Sequence, residues 1–170
     1  MNVQETVRLQ LGFWHGALGG IMGDCGDALN KAVPGATINS IASVYAHIVW
    51  SEDTIINGMM QGKPTIFSSG GWEEKTGTKL PGDQPSLGDW AKTFNMDYPK
   101  FKEYADAVFA NTDAFLSSVT DAQLAEKAQT PIGEQTKEWF LAAVLATHLP
   151  QHTGEIAALK GVQGLKGLPF

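Results

Sequence analysis

The sequence predicts an all-α protein, a four-helix bundle with one long loop between its second and third helices. Three observations carry that prediction. Four stretches repeat their apolar residues close to every 3.6 positions, no alternating run suggests a β-hairpin, and residues 61–90 concentrate Gly, Pro, Ser and Thr.

The first helical stretch runs from Glu5 to Leu29, with Leu9, Phe13, Leu18, Ile21 and Met22 among its apolar positions and Gly12, Gly16 and Gly20 at a spacing of four. Such glycines weaken a helix but allow close backbone approach. The second runs from Thr37 to Met60, where Ile41, Val44, Ile48, Ile55 and Met59 form a stripe. The third spans Lys100 to Val119. A short helical turn follows, with Thr120 or Asp121 as its N-cap. The fourth runs from Glu134 to Lys160 and is closed by Gly161 and Gly164, with Pro169 just beyond. The connection at 61–90 carries Trp72 and Trp90. A loop of that length in a compact domain is expected to form a lid or pocket wall.

Composition narrows the function classes. A chain of 170 residues that is 43% hydrophobic and 18% charged fits one folded domain, 1–170, with a sizeable core. Eighteen acidic residues outweigh 12 basic ones, and Arg8 is the sole arginine, a poor endowment for binding phosphates or bases, so no nucleic-acid partner is expected. The opening MNVQETVRLQ has no signal pattern, and no apolar run reaches the length of a membrane span, so neither export nor a membrane partner is expected. Cys25 is the only cysteine, which excludes an internal disulfide and suits the cytoplasm. Beside Asp24 and Asp27 it makes a poor thiolate nucleophile.

The histidines hold the chemistry. His148 and His152 lie four apart, about 40° from one another on an ideal helix, on the face of Leu141, Leu145, Ile156 and Leu159. Burying two imidazoles is costly unless their nitrogens find partners, and one cation satisfies both. The bland alternative is a hydrogen-bonded pair of core histidines. LPQH is not a metalloprotease motif, because Leu149 follows His148 where a general-base Glu would stand. On the second helix Ser40, Ser43, His47, Ser51 and Thr54 form a polar stripe within about 80° of arc. That stripe is either a solvent boundary or a cavity wall with His47 at its middle. Should helices two and four be neighbours, His47 can complete three ligands and leave a coordination position open, the catalytic rather than the structural arrangement.

The segments HIVWSEDTIINGMMQGKP, 47–64, and HLPQHTGEIAALKGVQGLKG, 148–167, resemble the second and closing helices of the DinB/YfiT-like superfamily of metal-dependent enzymes. The resemblance implies that His47, His148 and His152 hold one divalent ion, nickel or zinc foremost, in a homodimer. Several branches of that family use a low-molecular-weight thiol as co-substrate, which implies S-transferase or isomerase chemistry on a small molecule. Hydrolysis is equally available to such a metal. The other expectation is a non-catalytic, stress-related metal-binding or scaffold protein.

Pro150 departs from the family pattern. Inside a helix it removes a backbone bond and clashes four residues back, so a kink or a fresh helix start is expected between the two ligands. Glu155 is a candidate general base, a fourth ligand or an acceptor for an imidazole N–H, against the simpler reading of an exposed glutamate. His15 reads as a packed histidine bonded to the backbone, and Glu52 and Asp53 as a solvated face. Trp50, Trp72 and Trp90 read either as pocket lining or as plain packing.

Overall fold

The computed structural model describes residues 1–33, 37–82 and 87–168. Pro169 lies outside the described residues. Helix α1, Val3–Met22, starts at a capping box in which Asn2 accepts from the Glu5 N–H and Glu5 reaches back to the Asn2 N–H. It ends at Gly23 rather than continuing to Leu29; a short 3₁₀ turn, Gly26–Ala28, follows. Helix α2, Ile41–Asp53, begins where Ser40 caps the Ser43 N–H, so Ser40 precedes the helix rather than opening a helical stripe. It runs on without a break as a π-helix, Thr54–Met60.

The connection after α2 folds into three short helices, α3 (Ile66–Ser69), α4 (Trp72–Thr76) and α5 (Leu87–Thr93). Gly71 takes a left-handed φ of 64° between the first two. A β-carbon at Gly70 would sit 2.6 Å from the Trp72 indole nitrogen, so this turn needs its glycine pair. Helix α6 spans Tyr98–Ser118 with Pro99 in its first turn. Helix α7, Asp121–Leu124, is capped by Thr120 in a second capping box, with Gln123.

The expected start of the fourth helix at Glu134 is wrong. Residues Lys127–Thr130 and Gly133–Thr136 pair as an antiparallel hairpin, β1 and β2, with Thr130 opposite Gly133. Its turn is Pro131–Ile132, followed by Gly133 at φ 100°. The sequence shows no apolar alternation here because the hairpin is exposed on both faces for much of its length. The last helical column begins only at α8, Lys137–Phe140, capped by Thr136. It passes through a π-helical segment, Leu141–Leu145, into α9, Ala146–Val162.

Four long helical columns therefore form the bundle. α1 packs on α9 and α6, and α2 packs on the same two helices from the other side. α2 is buried almost all round, through Ile41, Val44, Tyr45, Ile48 and Val49, because α3 and α5 cover what α6 and α9 leave open. A helix in that position has no broad solvent face. Glu52 and Asp53, expected on one, are 1% and 0% exposed. Asp53 is satisfied in full: Oδ1 accepts from Asn57 Nδ2 and the Ile66 N–H, both at 2.8 Å. Oδ2 accepts from the Phe67 N–H at 3.0 Å and the Tyr104 hydroxyl at 2.8 Å. The carboxylate thus pins the start of α3 to α2 and α6. Lys160 is also buried, donating to the Ile21 carbonyl and to Asp24 and so closing the C-terminal end of α1. No described helix is long and apolar enough to cross a membrane.

Candidate metal centre

α2 and α9 are neighbours, and their contact brings His47 against His148 and His152. One ligand nitrogen from each histidine lies within 4.8 Å of the other two. Nε2 of His47 and Nε2 of His148 are 3.0 Å apart. The ring centroids stand 4.9 Å apart from His47 to either partner and 4.5 Å between His148 and His152. All three rings are half-buried, and among the described residues the group contains no fourth His, Cys, Asp or Glu.

Pro150 does not separate the pair. α9 is continuous across it, and the register change comes upstream, in the π-helical turn that ends at Leu145. The Thr147 hydroxyl donates to the Ala143 and Val144 carbonyls, and the Thr153 hydroxyl to the Leu149 carbonyl, so side chains satisfy backbone on both sides of the proline.

The outer nitrogens of two rings are held from behind. His152 Nδ1 lies 2.7 Å from Glu155 Oε2. A carboxylate only accepts, so Nδ1 carries the proton and the Nε2 lone pair is free. His47 Nδ1 faces the Ser51 hydroxyl at 3.4 Å, a longer and looser contact. Burial, and then the neighbouring rings, pull His148 down to about 3. Burial pushes His47 below its ordinary value as well, with His152 adding to the shift and Glu155 opposing it. Both rings are neutral at pH 7, which is the state a metal requires.

The donor set fits a divalent ion. A tetrahedral cation with nitrogens at about 2.1 Å keeps those nitrogens about 3.4 Å from one another, inside the range spanned here. Two facing imidazole nitrogens at 3.0 Å need a proton or a cation between them, since two lone pairs repel.

A cavity of about 210 Å³ opens onto the cluster. Ser43, Val44 and His47 of α2 form one wall, Trp90 and Ala91 of α5 a second, and His152 and Glu155 of α9 the third. Of the polar stripe on α2, then, Ser43 and His47 face the cavity while Ser51 sits behind His47. The Trp90 ring is fixed by a bond from Nε1 to the Lys79 carbonyl at 2.9 Å and by contact with Phe94. Trp72 packs on Tyr104 instead, and the Trp50 ring lies 6.4 Å from that of His47 without lining the cavity.

His15 stands apart from the cluster. It stacks on Phe109 with ring centroids 3.8 Å apart and bonds Glu52 Oε2 at 3.0 Å, a carboxylate rather than the backbone. Cys25 is 4% exposed, and burial is the main force raising its thiol pKa; Asp24 adds to this and Lys160 opposes it.

Residues 17–156 match the family model of the DinB superfamily, and the chain belongs to that superfamily. A conserved protein from Enterococcus faecalis, known from its crystal structure, shares the fold with a TM-score of 0.77 at 18% sequence identity, over 94% of this chain and 95% of that one. No curated protein sequence matches the chain.

Proposed function

We propose that the protein is a metal-dependent enzyme whose single divalent ion, zinc or nickel, is held by His47, His148 and His152 and acts on a small molecule entering the adjoining cavity. The observation that carries this reading is the convergence of three imidazoles, two of which line an open cavity, with no fourth side-chain donor among the described residues to close the set. Such an ion supplies Lewis acidity, which makes a bound water or thiol a nucleophile near neutral pH.

The protein's own residues supply the rest. Glu155 holds His152 in the tautomer that presents Nε2, and its second oxygen is available to take a proton from a group in the cavity. Burial keeps His47 and His148 unprotonated. Trp90 and Val44 give the cavity apolar walls that exclude water from one side of the reacting group. Thiol transfer and hydrolysis both fit this arrangement. A non-catalytic metal protein has less support, because a purely structural site is normally four-coordinate and closed.

Metal content of untagged protein by elemental mass spectrometry tests the reading. About one divalent ion per chain is expected, lost in His47→Ala and His148→Ala while the helical circular dichroism is retained. Protein without metal that also fails to take up added zinc, nickel or manganese would overturn it.

A further inference from the structure

The cavity beside the histidines has a one-sided charge. None of the chain's 12 lysines and arginines lines it, and residues 34–36, 83–86 and 169–170, outside the described set, contain neither residue type. Eight of the twelve cations are paired with carboxylates elsewhere: Arg8 with Asp113, Lys79 with Glu73, Lys92 with Asp89, Lys100 with Asp97, Lys102 with Asp106, Lys127 with Glu134, Lys137 with Glu126 and Lys160 with Asp24. Among the described residues, Glu155 is the one acidic side chain that lines the cavity. Only one of its oxygens, Oε2, is the 2.7 Å partner of His152. Around it stand Asn39, Ser43 and the apolar Val44 and Trp90.

A carboxylate or phosphate placed there would lose water and meet no cation to replace it, apart from whatever ion the histidines hold. A second anionic group would also face Glu155. Resting on the metal-site reading above, we infer that the cavity selects small molecules that carry one metal-binding donor and are otherwise uncharged or cationic, with Glu155 the residue that meets an amine. Molecules bearing carboxylates or phosphates beyond that donor are excluded. If the co-substrate is a thiol, it is one without free carboxylates.

Cobalt-loaded protein reports the choice without any assay of activity, because thiolate binding to cobalt produces a charge-transfer band. The probes are cysteamine, N-acetylcysteamine and 3-mercaptopropionate, titrated into wild type, Asn39→Lys and Glu155→Gln. Each Kd is corrected for the thiol's own pKa, so intrinsic acidity cancels within one protein as well as between proteins. Wild type is then expected to bind N-acetylcysteamine at least about tenfold tighter than 3-mercaptopropionate, the scale of one unpaired charge in a partly dry site. N39K, on the exposed rim, should shrink that ratio severalfold by supplying the missing cation. E155Q should lower the cysteamine preference relative to N-acetylcysteamine. Equal or tighter binding of 3-mercaptopropionate by wild type, or ratios indifferent to both variants, would overturn the inference while leaving the metal site standing. Failure of cobalt itself to bind is a different result, and it would remove the metal reading and this one together.

Discussion

Two polar clusters are built on the same helix six residues apart, and they have opposite characters. At Asp53 every carboxylate lone-pair direction that matters is met, by two backbone N–H groups, an amide and a tyrosine hydroxyl, and the residue is fully buried. Burial and the adjacent Asp53 hold the Tyr104 hydroxyl well above its ordinary pKa, so it stays a donor. At His47 three ring nitrogens converge, half-buried, beside a cavity, and the 3.0 Å pair is joined only by a shared proton or a cation. The first cluster is complete without anything added. The second can take a cation in place of that proton. A buried polar group with all its partners is part of the fold, whereas ring nitrogens converging beside a cavity are where a ligand is sought.

The largest effect should come from the complete cluster. Asp53→Ala leaves two backbone N–H groups, the Asn57 amide and the Tyr104 hydroxyl without their acceptor. Removing one side of such a buried charged network costs on the order of 3–5 kcal/mol, a large share of the stability of a domain this size. Urea unfolding of the metal-free protein would measure it. A loss under about 1 kcal/mol would mean that α3 is not tied down through this carboxylate.

The histidine cluster should behave the other way. His148→Ala in metal-free protein is expected to change stability by no more than about 1 kcal/mol, since it relieves a crowded ring rather than orphaning a donor. Zinc in thousandfold excess over its Kd should stabilise wild type by about 4 kcal/mol and leave H148A unchanged. Thermal melts with and without zinc distinguish the two clusters. A zinc-induced shift of equal size in H148A would show that the ion binds elsewhere.

How far each cluster could be read from the sequence follows from what satisfies it. The histidine pair is visible because its spacing of four survives folding: the π-helical turn falls before His148, not between the two histidines. His47 is visible through the serines spaced around it on α2. Glu155 shows only as one of several options, because its bond to His152 depends on rotamers. Asp53 is not visible at all. Its partners come from α3, a four-residue helix without periodicity, and from Tyr104 on a distant helix, so a charged pair at the end of an amphipathic stretch reads as solvent-facing. The β1–β2 hairpin is hidden for a related reason: KAQTPIGEQT buries too little to show alternation. The family segments at 47–64 and 148–167 signalled the helical pairing that periodicity alone left open.

Acidification offers a gentler comparison. His148 is pulled down to about 3 in the fold, against an ordinary value near 6.5 in the unfolded chain. Between those values the unfolded state binds the extra proton, so stability is present above about pH 6.5 and falls as pH drops below it. Wild type without metal should therefore lose ground to H148A by about 1 kcal/mol at most between pH 6.5 and 5, because the half-buried cluster is partly screened by solvent. Urea midpoints for the two proteins at a series of pH values give the difference directly. Parallel curves would mean that His148 carries no such penalty in the metal-free protein.

The smallest effect separates the two supports behind the rings. Glu155 is charged, 2.7 Å from His152 Nδ1, and can only accept, so it fixes the tautomer and makes Nε2 a better donor to a cation. Ser51 is neutral, 3.4 Å from His47 Nδ1, and its hydroxyl both donates and accepts, so it fixes neither. Replacing each with alanine should weaken zinc binding unequally: about 10–100-fold for E155A, the usual range for a lost carboxylate behind a ligating histidine, and about threefold or less for S51A. Competition with a chromophoric chelator resolves differences of that size. Equal losses would mean that the hydroxyl orients His47 as firmly as the carboxylate orients His152. The contrast between a charged, fixed support and a neutral, loose one would then not govern this site.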